Sequence, residues 1–216
     1  MEIYNSEQEQ VDALKAWWDK NGRSALIGLA VFLMSVLGWQ SWNESRNQQA
    51  EAASAHYQQM MDLMQSDAAQ AMEAGRALLG SYPDSIYAVM ATMAMAKLAV
   101  EKNDLDGAAA HLRSAMGQSQ EPELTELARL RLARVEFAQG KADAALATLD
   151  GGKGGAAVEE LRGDILLSQG KRIEAGAAYK AATNSYGAAA ADKRELVQMK
   201  LDDLSMTVMS VESRTE

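Results

Sequence analysis

From Ser24 to Asn43 the chain carries no charged residue, and no other feature of its 216 residues constrains the fold as tightly. Twenty helical residues, rising ~1.5 Å each, cover ~30 Å, the thickness of a bilayer's hydrocarbon core. The centre reads Ala25-Leu26-Ile27-Gly28-Leu29-Ala30-Val31-Phe32-Leu33-Met34-Ser35-Val36-Leu37-Gly38. Trp17 and Trp18 precede the run and Trp39 and Trp42 close it, and indole rings favour the headgroup level. The run is long for a buried core helix, so it reads as one transmembrane helix over 24–43. A cleaved signal peptide is the rival reading. Against it, residues 1–23 form a long leader with three basic and five acidic residues, and the run exits through Trp39-Gln40-Ser41-Trp42 instead of a small-x-small cleavage site. Lys15, Lys20 and Arg23 precede the span, whereas Arg46 alone closely follows it. The positive-inside rule therefore leaves 1–23 as a cytoplasmic N-terminal segment and exports 44–216.

Charge and missing side chains narrow the function. The net charge is −9, and the expected exported part holds 18 basic and 25 acidic residues. Such a chain lacks the basic face that nucleic acid requires, and its surface would not adhere to anionic lipid. One helix is thus the expected membrane contact. Cysteine is absent, which removes disulfides, thiolate metal sites and thiol nucleophiles. His56 and His111 stand far apart with no ligand partner at metal spacing. Glu159-Glu160 and Asp202-Asp203 are adjacent pairs that point to different helix faces, poorly placed for joint acid/base work. Gly151-Gly152-Lys153-Gly154-Gly155 lacks the Gly-Lys-Ser/Thr ending and the preceding strand of a phosphate loop. Arg162-Gly163-Asp164 matches an adhesion tripeptide, but Gly163 falls where helix packing calls for a small residue. No catalytic, cofactor or metal site is expected, and the chain reads as a non-enzyme.

The part after the span repeats itself. Asn103-Asp104-Leu105-Asp106-Gly107-Ala108, Gly140-Lys141-Ala142-Asp143-Ala144-Ala145 and Gly170-Lys171-Arg172-Ile173-Glu174-Ala175 each follow one apolar helical run and open another. Align them on Ala108, Ala145 and Ala175. Twelve residues upstream lie Ala96, Ala133 and Gly163; four downstream lie Leu112, Leu149 and Tyr179; three further lie Ala115, Gly152 and Ala182. Small residues let two antiparallel helices approach, and the larger one fills the gap between them. The pattern resembles the tetratricopeptide repeat, a helix–turn–helix unit of about 34 residues, with spacings here of 37 and 30. The fold expected is all-α: a transmembrane helix followed by a tetratricopeptide-like right-handed helical solenoid over 44–216. A fainter fourth unit precedes the three, with a helix over 44–65 continuing from the membrane and a partner over 67–80. There Ala71 and Pro83 fit the pattern, but Gln59 occupies the small position of the first helix. A last helix over about 188–205 offers Leu196, Val197, Leu201 and Leu204 to the stack and turns Asp192, Lys193 and Glu195 outward, as a terminal cap does.

With anchor, repeats and both ends in view, the sequence resembles the YfgM family, the ancillary subunits of the bacterial SecYEG translocon. The resemblance runs nearly end to end. It is carried by Met1-Glu2-Ile3-Tyr4, Glu9-Gln10-Val11, the Trp17-Trp18 to Asn21-Gly22 approach, Arg129-Leu130-Arg131-Leu132-Ala133-Arg134-Val135, Ala142-Asp143-Ala144-Ala145-Leu146 and Gln198-Met199-Lys200-Leu201. It implies a single-pass inner-membrane protein with a periplasmic repeat domain, associated with SecYEG and the periplasmic chaperone PpiD. The function implied is a membrane-anchored protein-binding scaffold in protein export. A periplasmic scaffold for envelope protein or cytochrome assembly is the alternative.

First helices of such pairs line the concave, peptide-binding face. Counting from the small residue, the inward positions are Met90, Met93 and Lys97 in the first unit, then Leu127, Leu130, Arg134 and Phe137 in the second. Glu160, Asp164 and Leu167 follow in the third. Met90 and Met93 are flexible and polarizable enough to adapt to varied apolar partners, unfolded exported chains included, or else belong to ordinary core packing. Met60, Met61 and Met64 read as contacts of the helix that leaves the membrane.

Overall fold

The computed structural model describes the backbone of residues 3–212 and, apart from 3–9, 13, 25 and 205–212, their side chains. The outermost residues of the expected 1–23 and 44–216 segments therefore lie outside the described residues. Every regular element among the described residues is helical. In order they are α1 (Ile3–Ser66), α2 (Ala68–Ser81), α3 (Ile86–Glu101), α4 (Leu105–Gln118), α5 (Pro122–Ala138), α6 (Ala142–Asp150), α7 (Ala156–Ser168), α8 (Arg172–Ser185) and α9 (Ala191–Glu212), with a 3-10 turn at Ala188–Ala190. The chain divides into two units, Met1–Ala52 and Ala53–Glu216.

Among its described residues the first unit is helix alone. One helix among the described residues is long and apolar enough to cross a membrane, and its apolar window near the N-terminus buries nothing against protein. Leu26, Ile27, Phe32, Met34 and Leu37 stand exposed, which water would penalise and lipid would not. The indoles of Trp39 and Trp42 meet edge to face at 6.0 Å, and the Arg46 guanidinium lies 5.8 Å from the Trp42 ring. Ser35 satisfies its hydroxyl by donating to the Val31 carbonyl at 2.8 Å, the usual device for a polar side chain in an apolar helix.

The second unit builds its helices from explicit starts and stops. Asp67 caps α2 by accepting from the amides of Ala69 and Gln70 at 2.9 and 3.0 Å. Ser85 caps α3 through the Ala88 amide, and Asp104 caps α4 through the Gly107 amide. Pro122 opens α5, where a missing N–H costs nothing. The three repeat turns close identically. Asn103, Gly140 and Gly170 take left-handed φ values of 60°, 76° and 76°. The next amide in each, from Asp104, Lys141 and Lys171, donates back five residues to Ala99, Glu136 and Leu166 at 2.8–3.0 Å. That 6→1 bond satisfies carbonyls the ending helix leaves orphaned. Consecutive turns are also stitched together: the Gln139 amide donates to Asp106 and that of Gln169 to Asp143, both at 2.8 Å.

From α2 to α9 each helix packs on the next, and α3, α5 and α7 also touch along the chain's odd-numbered series. This is solenoid stacking, with a nearest-neighbour core instead of one central one. Ala96, Ala108, Ala133, Ala145, Gly163 and Ala175 are all buried. At Gly163 the approach is closest, because a Cβ there would overlap the Tyr179 ring. At the place of the faint first pair, the C-terminal turns of α1 join α2 and α3 in one apolar cluster through Met60, Leu78 and Met95. Gln59 is exposed there, and the close approach falls instead at Gly75 of α2, where a Cβ would press on Met95 and Met60. Glu136 is buried between repeats, accepting from Arg113 at 2.7 Å and from Thr148 at 2.6 Å.

The cap helix departs from expectation in two respects. It begins at Ala191 after the 3-10 turn and runs on to Glu212, so it is longer and later than 188–205. Val197 and Leu204 are buried and Leu201 is half-buried, but Leu196 is exposed. The reason is periodicity: Val197, Leu201 and Leu204 recur at four and three, one helical stripe, and Leu196 lies a hundred degrees off it.

Candidate functional site

Stripes from three odd-numbered helices meet across a groove of about 570 Å³ in the second unit. The last turns of α1 bring Tyr57, Met61 and Met64, each three or four residues from the next. From α3 come Met90, Met93, Lys97 and Val100, again at helical spacing. Leu124, Leu127, Arg131, Arg134 and Ala138 line it from α5 at intervals of three and four. The lining is largely apolar, and four of its side chains are methionines, Met61, Met64, Met90 and Met93, whose unbranched stems fit varied apolar shapes. Met93 is nearly buried and doubles as core, whereas Met61 and Leu127 stand exposed at the rim.

Basic groups edge this apolar floor. Lys97 sits 3.7 Å from Glu101 in an exposed pair, an arrangement worth little. Arg131 and Arg134, one turn apart, form no ion pair or hydrogen bond among the described residues. The Arg131 charge acts through space on Tyr57, whose hydroxyl burial pushes above its usual pKa while Arg131 pulls it back. Nothing in the groove pairs a nucleophile with a base, and no group of three or more His, Asp or Glu side chains among the described residues could hold a metal. The arrangement suits binding.

A second polar cluster lies further along the stack, where α9 packs on α7 and α8. The Lys200 ammonium donates to Glu160 Oε1 at 3.0 Å and to both oxygens of Asp164 at 2.8 and 3.0 Å. Tyr179 donates its hydroxyl to Asp164, and Tyr186 donates to Glu160, each at 2.7 Å. Burial alone would raise Glu160, but the Tyr186 and Lys200 hydrogen bonds and the nearby cations hold it below the usual carboxylate range. Burial alone would lower Lys200, but the two carboxylates raise it. Burial and the Glu160 carboxylate push Tyr186 up to about 12.

The inward positions read from the sequence thus fall into separate places. Met90, Met93, Lys97, Leu127 and Arg134 meet in the groove. Leu130 and Phe137 pack with Ala133, Leu149 and Ile165 between α5, α6 and α7. Glu160 and Asp164 are taken by Lys200, so they are not free to receive a partner. Leu167 is exposed but is not part of the groove lining. Tyr57 and Arg131 line the groove without being among those inward positions, and so do Met61 and Met64, which the sequence assigns to contacts of the helix leaving the membrane. The α5 stripe of Leu124, Leu127, Arg131, Arg134 and Ala138 is visible in the sequence as a three–four alternation; the α1 methionines are read there only as contacts of the helix that leaves the membrane.

Comparison with known proteins adds the family. A family model described as "Tetratricopeptide repeat-like domain" matches residues 15–206. The chain is 34% identical to the ancillary SecYEG translocon subunit of Escherichia coli (strain K12), covering 95% of this chain and 100% of that one. It is 33% identical to the ancillary SecYEG translocon subunit of Haemophilus influenzae, over 93% and 99% of the two chains. With the protein of the same description from Neisseria gonorrhoeae it shares 30% identity, over 94% and 100%.

Proposed function

Because the chain belongs to the tetratricopeptide repeat-like family of ancillary SecYEG translocon subunits, we propose that it is a translocon-associated, non-enzymatic scaffold of the bacterial inner membrane. The 24–43 helix is its single anchor, 1–23 stays in the cytoplasm and the repeat domain of 44–216 works in the periplasm. Lys15, Lys20 and Arg23 against Arg46 support that orientation. The groove between α1, α3 and α5 docks a partner protein or an unfolded exported segment, and the chaperone PpiD is the partner that the family resemblance implies. Tethering then acts by effective concentration: a chaperone held beside the channel meets emerging chains without high intrinsic affinity.

One observation carries this reading: an apolar, methionine-lined groove opens on the odd-numbered helices without any catalytic constellation in it. The test combines Leu127→Asp with Arg134→Glu in the full chain, both exposed and on the rim. Pull-down of PpiD from cells should be lost while the circular dichroism spectrum is kept. Retention of the chaperone by a folded double variant removes the groove as its docking face.

A further inference from the structure

The groove's chemistry selects a kind of occupant. Its walls are helices whose main-chain N–H and C=O groups are already spent within α1, α3 and α5, so it offers no strand edge. An extended segment laid on Met61, Met64, Met90 and Leu127 would bury its own amides without partners. A helix arrives with those groups satisfied and needs to supply only an apolar stripe. Charge then sets the border of that stripe. In a chain of net charge −9, Arg131 and Arg134 stand exposed at the groove with no ion pair or hydrogen bond among the described residues. They are spaced at i and i+3, so they match two carboxylates placed one turn apart on a facing helix.

We infer that the groove receives an amphipathic helix of a partner protein, its apolar face on Met61, Met64, Met90 and Leu127 and its Asp or Glu side chains against Arg131 and Arg134. This rests on the groove being the docking face. Leucine or methionine anchors at i, i+3 or i+4, and i+7 of the partner occupy the floor, and the acidic residues flank them on the α5 side. The apolar contact supplies affinity; the arginines supply orientation and reject basic helices.

The full chain in phosphatidylcholine nanodiscs is titrated with labelled peptides of about 18 residues, about five helical turns, empty nanodiscs serving as the baseline. One peptide carries the leucine stripe with glutamates at its edge, a second has lysines in their place, and a third is the acidic peptide broken by a central proline. The acidic helix is expected to bind, and Arg131→Glu with Arg134→Glu to weaken it about tenfold while strengthening the lysine peptide. Added salt should weaken the acidic peptide on the wild-type chain. Equal binding of acidic and basic helices, both lost in Leu127→Asp, overturns the charge selection but leaves the groove as a docking face. Equal binding of the proline-broken peptide overturns the helical occupant. Binding indifferent to Leu127→Asp overturns both this inference and the groove itself, and no binding of any peptide to the wild-type chain overturns this inference alone, since the PpiD pull-down tests the groove separately.

Discussion

Replacing Lys200 with methionine asks what holds the last helix to the stack. The substitution keeps an apolar stem of similar length against Tyr179, over whose ring the ammonium now lies at 5.7 Å. It removes three contacts of 2.8–3.0 Å to Glu160 and Asp164, and leaves two carboxylates facing the gap without their cation. Fully buried, hydrogen bonds between charged groups are worth about 1.5–3 kcal/mol each; fully exposed ion pairs are worth about 0.2–1. The three side chains are 37%, 26% and 34% exposed, so water screens much of the attraction and the whole clamp is worth about 2 kcal/mol. For a repeat unit of this size that is a fall in Tm of about 4–8 °C if it unfolds as one. Stacked repeats hold mainly to their neighbours, so α9 should open before the rest.

Acid and base should act through the same cluster. Glu160 is held below the ordinary carboxyl pKa of 4.5, so its stabilisation is complete above that value and disappears as pH falls through the folded one. Lys200 is held above the ordinary 10.5, so its share is complete below that value and disappears as pH rises through the folded one. The wild-type advantage over Lys200→Met should therefore be flat at neutral pH and shrink at both extremes. Thermal unfolding and amide hydrogen exchange across α9, run on the full chain in detergent, measure it. Unchanged Tm and unchanged exchange in α9 at neutral pH would show the clamp to be energetically idle and the cap held by Val197 and Leu204 alone.

Gly163→Ala should destabilise by about 1–3 kcal/mol, although alanine gains about 1 in a helix interior. Tyr179 is buried and tied to Asp164, so its ring cannot yield to the new methyl. Pairing the change with Tyr179→Leu should recover part of the loss, and strictly additive losses in urea unfolding would show the contact to be unimportant. A reporter enzyme active only outside the cytoplasm, fused after Glu216, should be active in cells; activity confined to a cytosolic reporter at the same site reverses the proposed orientation.

Local rules explain what could be read from residues alone. A membrane span is a statement about twenty neighbours, and a repeat turn about six. The positions of Asn103, Gly140 and Gly170 foretold three turns because a left-handed residue is required where each helix stops. The groove was half legible. Helical spacing says which side chains of α5 share a face, yet it is silent on what stands opposite. Met61 and Met64 join Met90 because the end of α1 meets α2 and α3 through Met60, Gly75 and Met95, a contact that Gln59 at the expected small position concealed. Glu160 and Asp164 sit at inward positions, but Lys200, 40 and 36 residues further on, reaches them first.

Sequence by itself determined the apolar run long enough to span a bilayer, the all-helical class, the repeat rhythm and the exclusion of thiol chemistry, since hydrophobic run length, periodicity and composition are properties of the unfolded chain as much as of the folded one. Tertiary structure alone decided which carboxylates are spent on Lys200 and which cations remain at the groove. Those choices depend on helices brought together from distant parts of the chain, and between different helices separation along the sequence does not give separation in space.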